Sequence, residues 1–544
     1  MKLLFSILFV FFSLISFGQN PIIPSQRPKL VIGIVVSEMR YDYLDRYWDK
    51  FGDSGFKRII NNGMVCKNAH HDYLIAESSA GFATIATGAY PANHGLVADY
   101  WYERLKDKIQ SSIRDEKVAT LVGEYESGKF SPVNLKYSTL SDELRVANKF
   151  ESKVISVSMD PRAAVISGGH TANASYWYGD ITGKWISSTY YLDSMVSWVD
   201  TFNHKAFSDI YLEKTWETLY PIEDYTESLE DTSAYEKGIN GQINFPYDLA
   251  SLSTPKRKQT DYSILKATPF GNSLTKDFAI SAIVEEELGK DDVPDWLSLN
   301  FAAGSFLGDK YSSWSVEMED MYLRLDMDLG HFLDFIDREI GMKNVLIYLT
   351  AENAVSHDPA YLMNKRIPSG YFNYNSAIML LRSYLNVIYG QGDWVKFYYS
   401  KQIYLNRVLI DNSKLSLSEF QERVARFILQ FEGVSNVLTS TDLIRNNYTK
   451  GEFEKIQKTY NQKRSGDVIL QLNPGWAESG AEKEHGSSYN FDTHVPLIFY
   501  GWKTGRAEIS RKISVTDIMP TIAYFLNISR PQSVQGSIIH ELVD

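Results

Sequence analysis

A serine stands where a short polar segment meets a predicted helix. Segment 77–81 reads Glu-Ser-Ser-Ala-Gly and leads into the helical run 82–86. A serine at a helix N-terminus faces unpaired backbone N–H groups and the positive end of the helix dipole, so it suits contact with an anionic group. The same position is also common for a serine that only caps the helix. Ser78 is therefore a candidate anion-binding residue, and a plain N-cap is the alternative interpretation.

Polar side chains also follow three predicted strands. The segments are Ser-Glu-Met-Arg at 37–40, Gly-Ser-Phe-Leu-Gly-Asp at 304–309 and Thr-Ala-Glu-Asn at 350–353. Open parallel sheets bind their ligands beyond the carboxyl ends of the strands. We therefore expect these segments and Ser78 to line one site.

The elements that position these groups are predicted from apolar patterning. Continuous apolar runs at 29–36, 153–157, 296–302, 344–349 and 496–500 are typical of strands buried on both faces. Between the third and fourth runs, apolar residues recur at three- and four-residue steps over 318–340, which predicts a helix that ends at Gly341. A strand, helix and strand in that order form a crossover unit. The fold class is therefore α/β, with a largely parallel central sheet flanked by helices.

Two stretches interrupt this pattern. Residues 195–275 and 370–465 are rich in aromatic and polar side chains and show weaker periodicity. We expect them to be cap segments inserted into one domain that spans 19–544. A capped helix is predicted at 514–526, close to the C-terminus.

Composition excludes several classes of protein. The 544 residues are 44% hydrophobic and 22% charged, which leaves enough apolar material for a large core. The net charge is −12, and no long basic run occurs, so nucleic acid is not expected as a partner. The single cysteine, Cys66, excludes an internal disulfide framework and a cysteine-cluster metal site.

The N-terminus has the features of an export signal. Lys2 precedes an apolar run from Leu3 to Phe17, and small residues then precede Gln19. We expect residues 1–18 to be a cleaved signal peptide and the mature protein to be periplasmic or secreted. A membrane anchor is the alternative, but the run is short for a span of about 20 residues, and no later segment of the sequence is apolar enough.

Several segments together resemble the alkaline phosphatase superfamily, in its type I phosphodiesterase/nucleotide pyrophosphatase branch. The resemblance is strongest to the secreted PafA-type alkaline phosphatases and extends from residue 28 to the C-terminus. It depends on segments 29–43, 78–102, 318–326, 350–362, 485–501 and 514–526. It implies an alkaline-phosphatase-like core in which two zinc ions share a site. It also implies a threonine or serine that attacks phosphorus, and a metal-bound water that hydrolyses the resulting phosphoenzyme.

The resemblance places the nucleophile at Ser78 and a phosphate-contacting arginine at Arg162. The family's lysine beside that arginine is replaced by Asp160, and its phosphate-contacting asparagine falls near Asp99 or Tyr100. Asp160 and Asp99 would place negative charge where the family presents hydrogen-bond donors to phosphate.

The implied metal-ligand positions are largely substituted. The resemblance implies aspartate at positions 37, 305 and 352 and histidine at 309, 353 and 485. His485 keeps the family residue, and Asp309 and Glu352 remain potential ligands. Neutral side chains occupy the other positions, Ser37, Ser305 and Asn353. Zinc prefers imidazole, thiolate or carboxylate ligands, and a pair of divalent ions needs several carboxylates to balance its charge. We therefore expect either no metal or one weakly bound divalent ion.

The sequence thus predicts an exported alkaline phosphatase-like protein with a degraded two-metal site. The main interpretation is a pseudo-phosphatase that acts as a binding or accessory protein, with a protein, a glycan or a phosphorylated small molecule as partner. The alternative is an active hydrolase of phosphate monoesters or diesters, which would use Ser78 and two zinc ions. A third possibility is a transferase on the same scaffold.

Overall fold

The structure of the chain is a computed structural model, which describes residues 27–74, 77–123, 125–233, 236–253, 260–479 and 486–543. The predicted signal peptide, 1–18, lies outside the described residues, as does the candidate ligand His485.

The described residues contain a ten-stranded mixed sheet at the centre of the molecule. Its strands, in spatial order, are Ala507–Ile509, Met64–Cys66, Ile498–Gly501, Val345–Thr350, Leu30–Val36, Asp295–Phe301, Val154–Ser158, Ala174–Gly179, Lys184–Ser188 and Thr120–Leu121. The five strands from Val345–Thr350 to Ala174–Gly179 run parallel. The predicted α/β class and all five predicted strands are confirmed; the fifth, observed at Ile498–Gly501, pairs antiparallel to Val345–Thr350.

The register of the parallel strands brings their carboxyl ends to one edge. Val35 lies opposite Asn300 and Thr350, and Asn300 lies opposite Ser158. Parallel sheets of this kind bind their ligands beyond the carboxyl ends of the strands. The segments that follow these four strands, Leu30–Val36, Val154–Ser158, Asp295–Phe301 and Val345–Thr350, therefore lie at the same edge of the sheet.

Helices pack around this sheet. The longest, Val316–Glu339, begins after Ser315, whose hydroxyl accepts a hydrogen bond from the Met318 N–H at 3.0 Å. The other helices of this part of the chain are Asp42–Arg46, Phe56–Asn62, Ser78–Thr87, Pro91–His94, Leu140–Ala147, Pro161–Gly168, Pro269–Glu285, Ala303–Gly308, Pro359–Asn364, Asn490–Thr493 and Ile518–Leu526. No helix in the described part of the chain combines the length and apolar character that crossing a membrane requires.

The first predicted insertion, 195–275, packs on the main core. Its helices are Ser197–His204, Phe207–Leu212 and Leu249–Leu252, and the short strands Thr215–Trp216 and Tyr247–Asp248 pair antiparallel. Trp216 and Tyr247 are fully buried and belong to the same apolar cluster as the central sheet.

The second predicted insertion, 370–465, lies within a region that has an apolar cluster of its own. A four-stranded antiparallel sheet runs in the order Val395–Tyr399, Gln402–Leu405, Val468–Leu472 and Val434–Thr439. Its helices are Tyr374–Tyr389, Arg407–Asn412, Leu417–Ile428, Ser440–Arg445 and Gly451–Thr459. Smaller ladders join Ala69–His70 to His494–Val495 and Ile513–Ser514, Tyr100–Glu103 to Lys108–Ser111, and Gly370–Phe372 to Trp476–Glu478.

Candidate functional site

Ser78 is the first residue of a completely buried helix, Ser78–Thr87. Glu77 holds the N-cap position with extended backbone, and Ser78 itself is 3% exposed. The structure therefore places Ser78 inside the first turn rather than at the cap. Ser78 and its neighbour Ser79 lie where the positive end of the helix dipole is strongest.

Two carboxyl groups lie at this helix N-terminus. The Asp99 N–H donates a hydrogen bond to Glu77 Oε2 at 2.8 Å, and the Ser79 N–H donates to Asp99 Oδ1 at 2.9 Å. Burial, and then the negative charge of Asp99, raise the pKa of Glu77 to about 7. The sequence pattern does not single out Glu77, because a cap residue beside a candidate nucleophile carries no motif of its own.

Arg162 lies between two carboxylates. Its Nη1 donates to Asp99 Oδ2, and its Nη2 donates to Asp160 Oδ2 at 2.7 Å. Asp160 also caps helix Pro161–Gly168 by accepting from the Arg162 N–H at 2.8 Å. Burial opposes ionisation of Asp160, but the guanidinium outweighs it and lowers the pKa of Asp160 below its usual value. The implied phosphate-contacting arginine is thus engaged by the protein's own anions.

The end of strand Leu30–Val36 supplies a second group of polar contacts. Ser37 Oγ accepts a hydrogen bond from Asn300 Nδ2 at 2.9 Å. Glu38 has a left-handed backbone with φ of 59°, a conformation that costs a non-glycine residue free energy and that often occurs at functional sites. Ser305 Oγ donates to Glu38 Oε1 at 3.0 Å, and the Glu38 N–H donates to Glu352 Oε2 at 3.3 Å.

The structure therefore brings Ser305 and Glu352 together through Glu38. Glu38 follows the first strand in the sequence, but the spacing alone did not single it out. Glu38 is 5% exposed and Glu352 is fully buried, so both residues lie out of bulk water.

The remaining described candidates, Asp309 and Asn353, follow Ser305 and Glu352 in the chain. Asp309 ends helix Ala303–Gly308. Asn353 is fully buried; its Nδ2 donates to the Ala354 carbonyl at 2.9 Å, while its Oδ1 has no hydrogen-bond partner among the described residues. A nearby imidazole, His71, donates from Nε2 to the Ala351 carbonyl at 2.9 Å, and burial lowers its pKa to about 4.

These donors do not fit a pair of zinc ions. Within the described ranges, no three His, Cys, Asp or Glu side chains are arranged to hold a metal ion. The side chains of Ser37, Ser305 and Asn353 are two hydroxyls and an amide, which contribute no negative charge to balance a divalent ion. His485 lies outside the described residues, so its place relative to Asp309 and Glu352 stays a prediction.

Sequence comparison finds relatives along nearly the whole chain. A protein from Myroides odoratus named calcium-transporting ATPase is 35% identical over 526 residues and covers 95% of this chain and 95% of its own. Alkaline phosphatase PafA from Elizabethkingia meningoseptica is 34% identical over 523 residues, again covering 95% of both chains.

A solved structure agrees with these relatives. The crystal structure of wild-type alkaline phosphatase PafA superimposes with a TM-score of 0.90 at 33% identity and covers 95% of this chain and 99% of the other. Residues 31–495 match the family described as type I phosphodiesterase/nucleotide pyrophosphatase. The chain therefore belongs to the type I phosphodiesterase/nucleotide pyrophosphatase family and has the fold of an alkaline phosphatase.

Proposed function

We propose that this chain is an exported pseudo-phosphatase, an alkaline phosphatase-like protein that binds a ligand without hydrolysing phosphate esters. The observation that carries the proposal is the donor set at the implied metal positions, where Ser37, Ser305 and Asn353 offer no charge. A serine hydroxyl is a weak nucleophile unless a base or a metal ion activates it. Two carboxyls at the start of this helix are already engaged, since Glu77 accepts from the Asp99 N–H and Asp99 binds Arg162.

A cavity of about 570 Å³ beside this site offers a place for a ligand. This volume lies in the range typical of small-molecule sites, which are mostly apolar with a few polar groups. The cavity is lined by Ser356, His357, Leu362, Ile367, Pro368, Asn473, Pro474, Gly475, Trp476 and Phe491. Ser356 and His357 lie on the loop that follows strand Val345–Thr350, so the cavity adjoins the segment that carries Glu352.

The indole of Trp476 is held in place by its surroundings. The backbone N–H of Trp476 donates to the Asn473 carbonyl at 3.1 Å and closes a tight turn, in which Gly475 has a φ of 77°. A Cβ at Gly370 or at Gly433 would overlap the Trp476 ring, so these two glycines make room for it. A rigid aromatic face costs little entropy when a ligand stacks on it.

The cavity lining, as far as the described residues form it, carries no net charge at neutral pH. Its one titratable side chain, His357, accepts a hydrogen bond from Trp314 Nε1 on Nδ1 at 2.9 Å, and burial lowers its pKa to about 4. The lining offers the aromatic rings of Trp476 and Phe491, the amide of Asn473 and the hydroxyl of Ser356. Such a lining suits a sugar ring, which has an apolar face and hydroxyl groups around its rim. Among the partner classes considered, these features support a glycan over a phosphorylated molecule or a protein.

The decisive experiment measures zinc content and turnover of p-nitrophenyl phosphate on the purified mature chain. We expect less than one zinc per chain, turnover no higher than that of Ser78→Ala, and a melting temperature that a chelator leaves unchanged. A variant that restores the family pattern is the positive control; it combines Ser37→Asp, Ser305→Asp, Asp309→His, Glu352→Asp and Asn353→His at the metal positions with Asp99→Asn and Asp160→Lys at the phosphate-contacting positions.

The second candidate function is active hydrolysis of phosphate monoesters or diesters. The relatives favour it over the pseudo-phosphatase, because PafA is named an alkaline phosphatase and is 34% identical across 95% of both chains. This candidate requires two zinc ions per chain and turnover that disappears in Ser78→Ala. Finding both would reject the pseudo-phosphatase proposal.

The glycan assignment has a separate test. Binding of cellotriose and maltotriose is measured by titration calorimetry for the wild-type chain, for Trp476→Ala and for Trp48→Ala. Trp48 is half-buried and lies outside the cavity lining, so Trp48→Ala is the control. We expect saturable binding that weakens at least about tenfold in Trp476→Ala and stays unchanged in Trp48→Ala. Absence of oligosaccharide binding, or equal loss in both variants, would reject the glycan.

A further inference from the structure

The described structure contains a carboxylate in the position that an anionic ligand would take. Two groups at the site are suited to hold an anion: the backbone N–H groups that begin helix Ser78–Thr87, and the guanidinium of Arg162. Asp99 joins them, because its Oδ1 accepts from the Ser79 N–H at 2.9 Å and its Oδ2 accepts from Arg162 Nη1.

We propose that the Asp99 carboxylate is a built-in substitute for a phosphoryl group and closes this subsite to phosphate. It meets the same pair of donors that would bind two oxygens of a phosphate, and it carries the same sign of charge. The proposal extends the pseudo-phosphatase function by naming what excludes the ligand.

Asp99 is fixed in this position from both sides. Its N–H donates to Glu77 Oε2 at 2.8 Å, and its carbonyl accepts from the Ser112 N–H at 2.9 Å. The residue is 7% exposed and directly precedes strand Tyr100–Glu103. Because hydrogen bonds hold the Asp99 backbone on both sides, rotation of its own segment does not displace the carboxylate. The Asp99 carboxylate therefore competes with phosphate at a high local concentration.

The surrounding charges also oppose a second anion. Arg162 faces Asp99 and Asp160, and Glu77 lies on the other side of Asp99. A phosphate that entered beside Asp99 would meet these carboxyl groups within a largely buried site, where repulsion between like charges is weakly screened.

The test measures binding of inorganic phosphate, without turnover, by titration calorimetry and by the shift in melting temperature. We expect the wild-type chain to show no saturable binding at millimolar phosphate and Asp99→Asn to bind at least about tenfold more tightly, because a like charge has been removed. Asp160→Asn is the matched control: it also removes one negative charge beside Arg162 but leaves Asp99 on both donors, so its gain in phosphate binding should be much smaller than that of Asp99→Asn.

Asp99→Ser provides a second variant in case the amide of Asn pairs again with Arg162. The proposal is overturned when both folded Asp99 variants bind phosphate no better than the wild type, or when Asp160→Asn gains as much as they do. These results are distinguishable from failure of the proposed function, which is decided by zinc content and turnover of the wild-type chain.

Discussion

The buried acid Glu317 allows a worked prediction of how stability depends on pH. Glu317 lies near the start of helix Val316–Glu339, is fully buried, and accepts a hydrogen bond from the Tyr247 hydroxyl of the first insertion. Burial raises the pKa of Glu317 to about 8 from an ordinary value of 4.5. We consider the substitution Glu317→Gln, which keeps an oxygen acceptor for Tyr247 and cannot ionise.

The sign follows from the raised pKa. The folded protein favours the protonated carboxyl of Glu317. The contribution of this group to the free energy of unfolding is therefore complete below pH 4.5 and is lost as the pH rises towards about 8. The difference between these values corresponds to about 5 kcal/mol, and relaxation around the ionised group should reduce the observed loss to about 2–5 kcal/mol. For a chain of 544 residues this amounts to about 2–4 °C in melting temperature.

Thermal melts at pH 5, 7 and 9 measure the effect. At pH 5 the wild-type chain and Glu317→Gln should melt within a degree or so of each other, while at pH 9 the variant should melt about 2–4 °C higher. Glu339→Gln, near the exposed end of the same helix, is the control and should follow the wild-type profile. A constant difference between wild type and Glu317→Gln at all three pH values would refute the reasoning.

Two further substitutions test the scaffold that positions the site. Asp326→Ala removes a carboxylate that accepts from the N–H groups of Gly52 at 2.7 Å and Phe56 at 2.6 Å. Urea denaturation should therefore show that the free energy of unfolding falls by about 2–4 kcal/mol. An unchanged denaturation midpoint would contradict this. Gly81→Ala would drive a Cβ into the carbonyl oxygen of Glu352, so the variant should show a lower melting temperature or lower soluble yield; a wild-type melting curve would show that the helix and the loop are not in contact.

The core elements could be predicted because each has a strong local pattern. Runs such as 29–36 and 344–349 are apolar at every position, and they form strands Leu30–Val36 and Val345–Thr350. The periodic stretch 318–340 agrees with the observed helix Val316–Glu339 to within two residues at its start. Burial on both faces of the sheet requires such uninterrupted apolar sequence.

The contacts within the site could not be predicted in the same way. Asp99 and Arg162 are separated by 63 positions, and their ion pair depends on how two helices and a strand pack. Likewise, Glu38 contacts Glu352 across 314 positions. The substituted residues at family positions indicated a change of chemistry. Only the folded chain shows that Asp99 forms an ion pair with Arg162.

The order of strands in the central sheet has a consequence for how the chain is made. Met64–Cys66 joins the parallel strands only through Ile498–Gly501, which itself pairs with Val345–Thr350. During synthesis, more than four hundred residues emerge before this early strand meets its partner. Such distant pairing slows folding and leaves unpaired strand edges open to aggregation. Covering the early strand until the last segments are complete would therefore protect the nascent chain from aggregation.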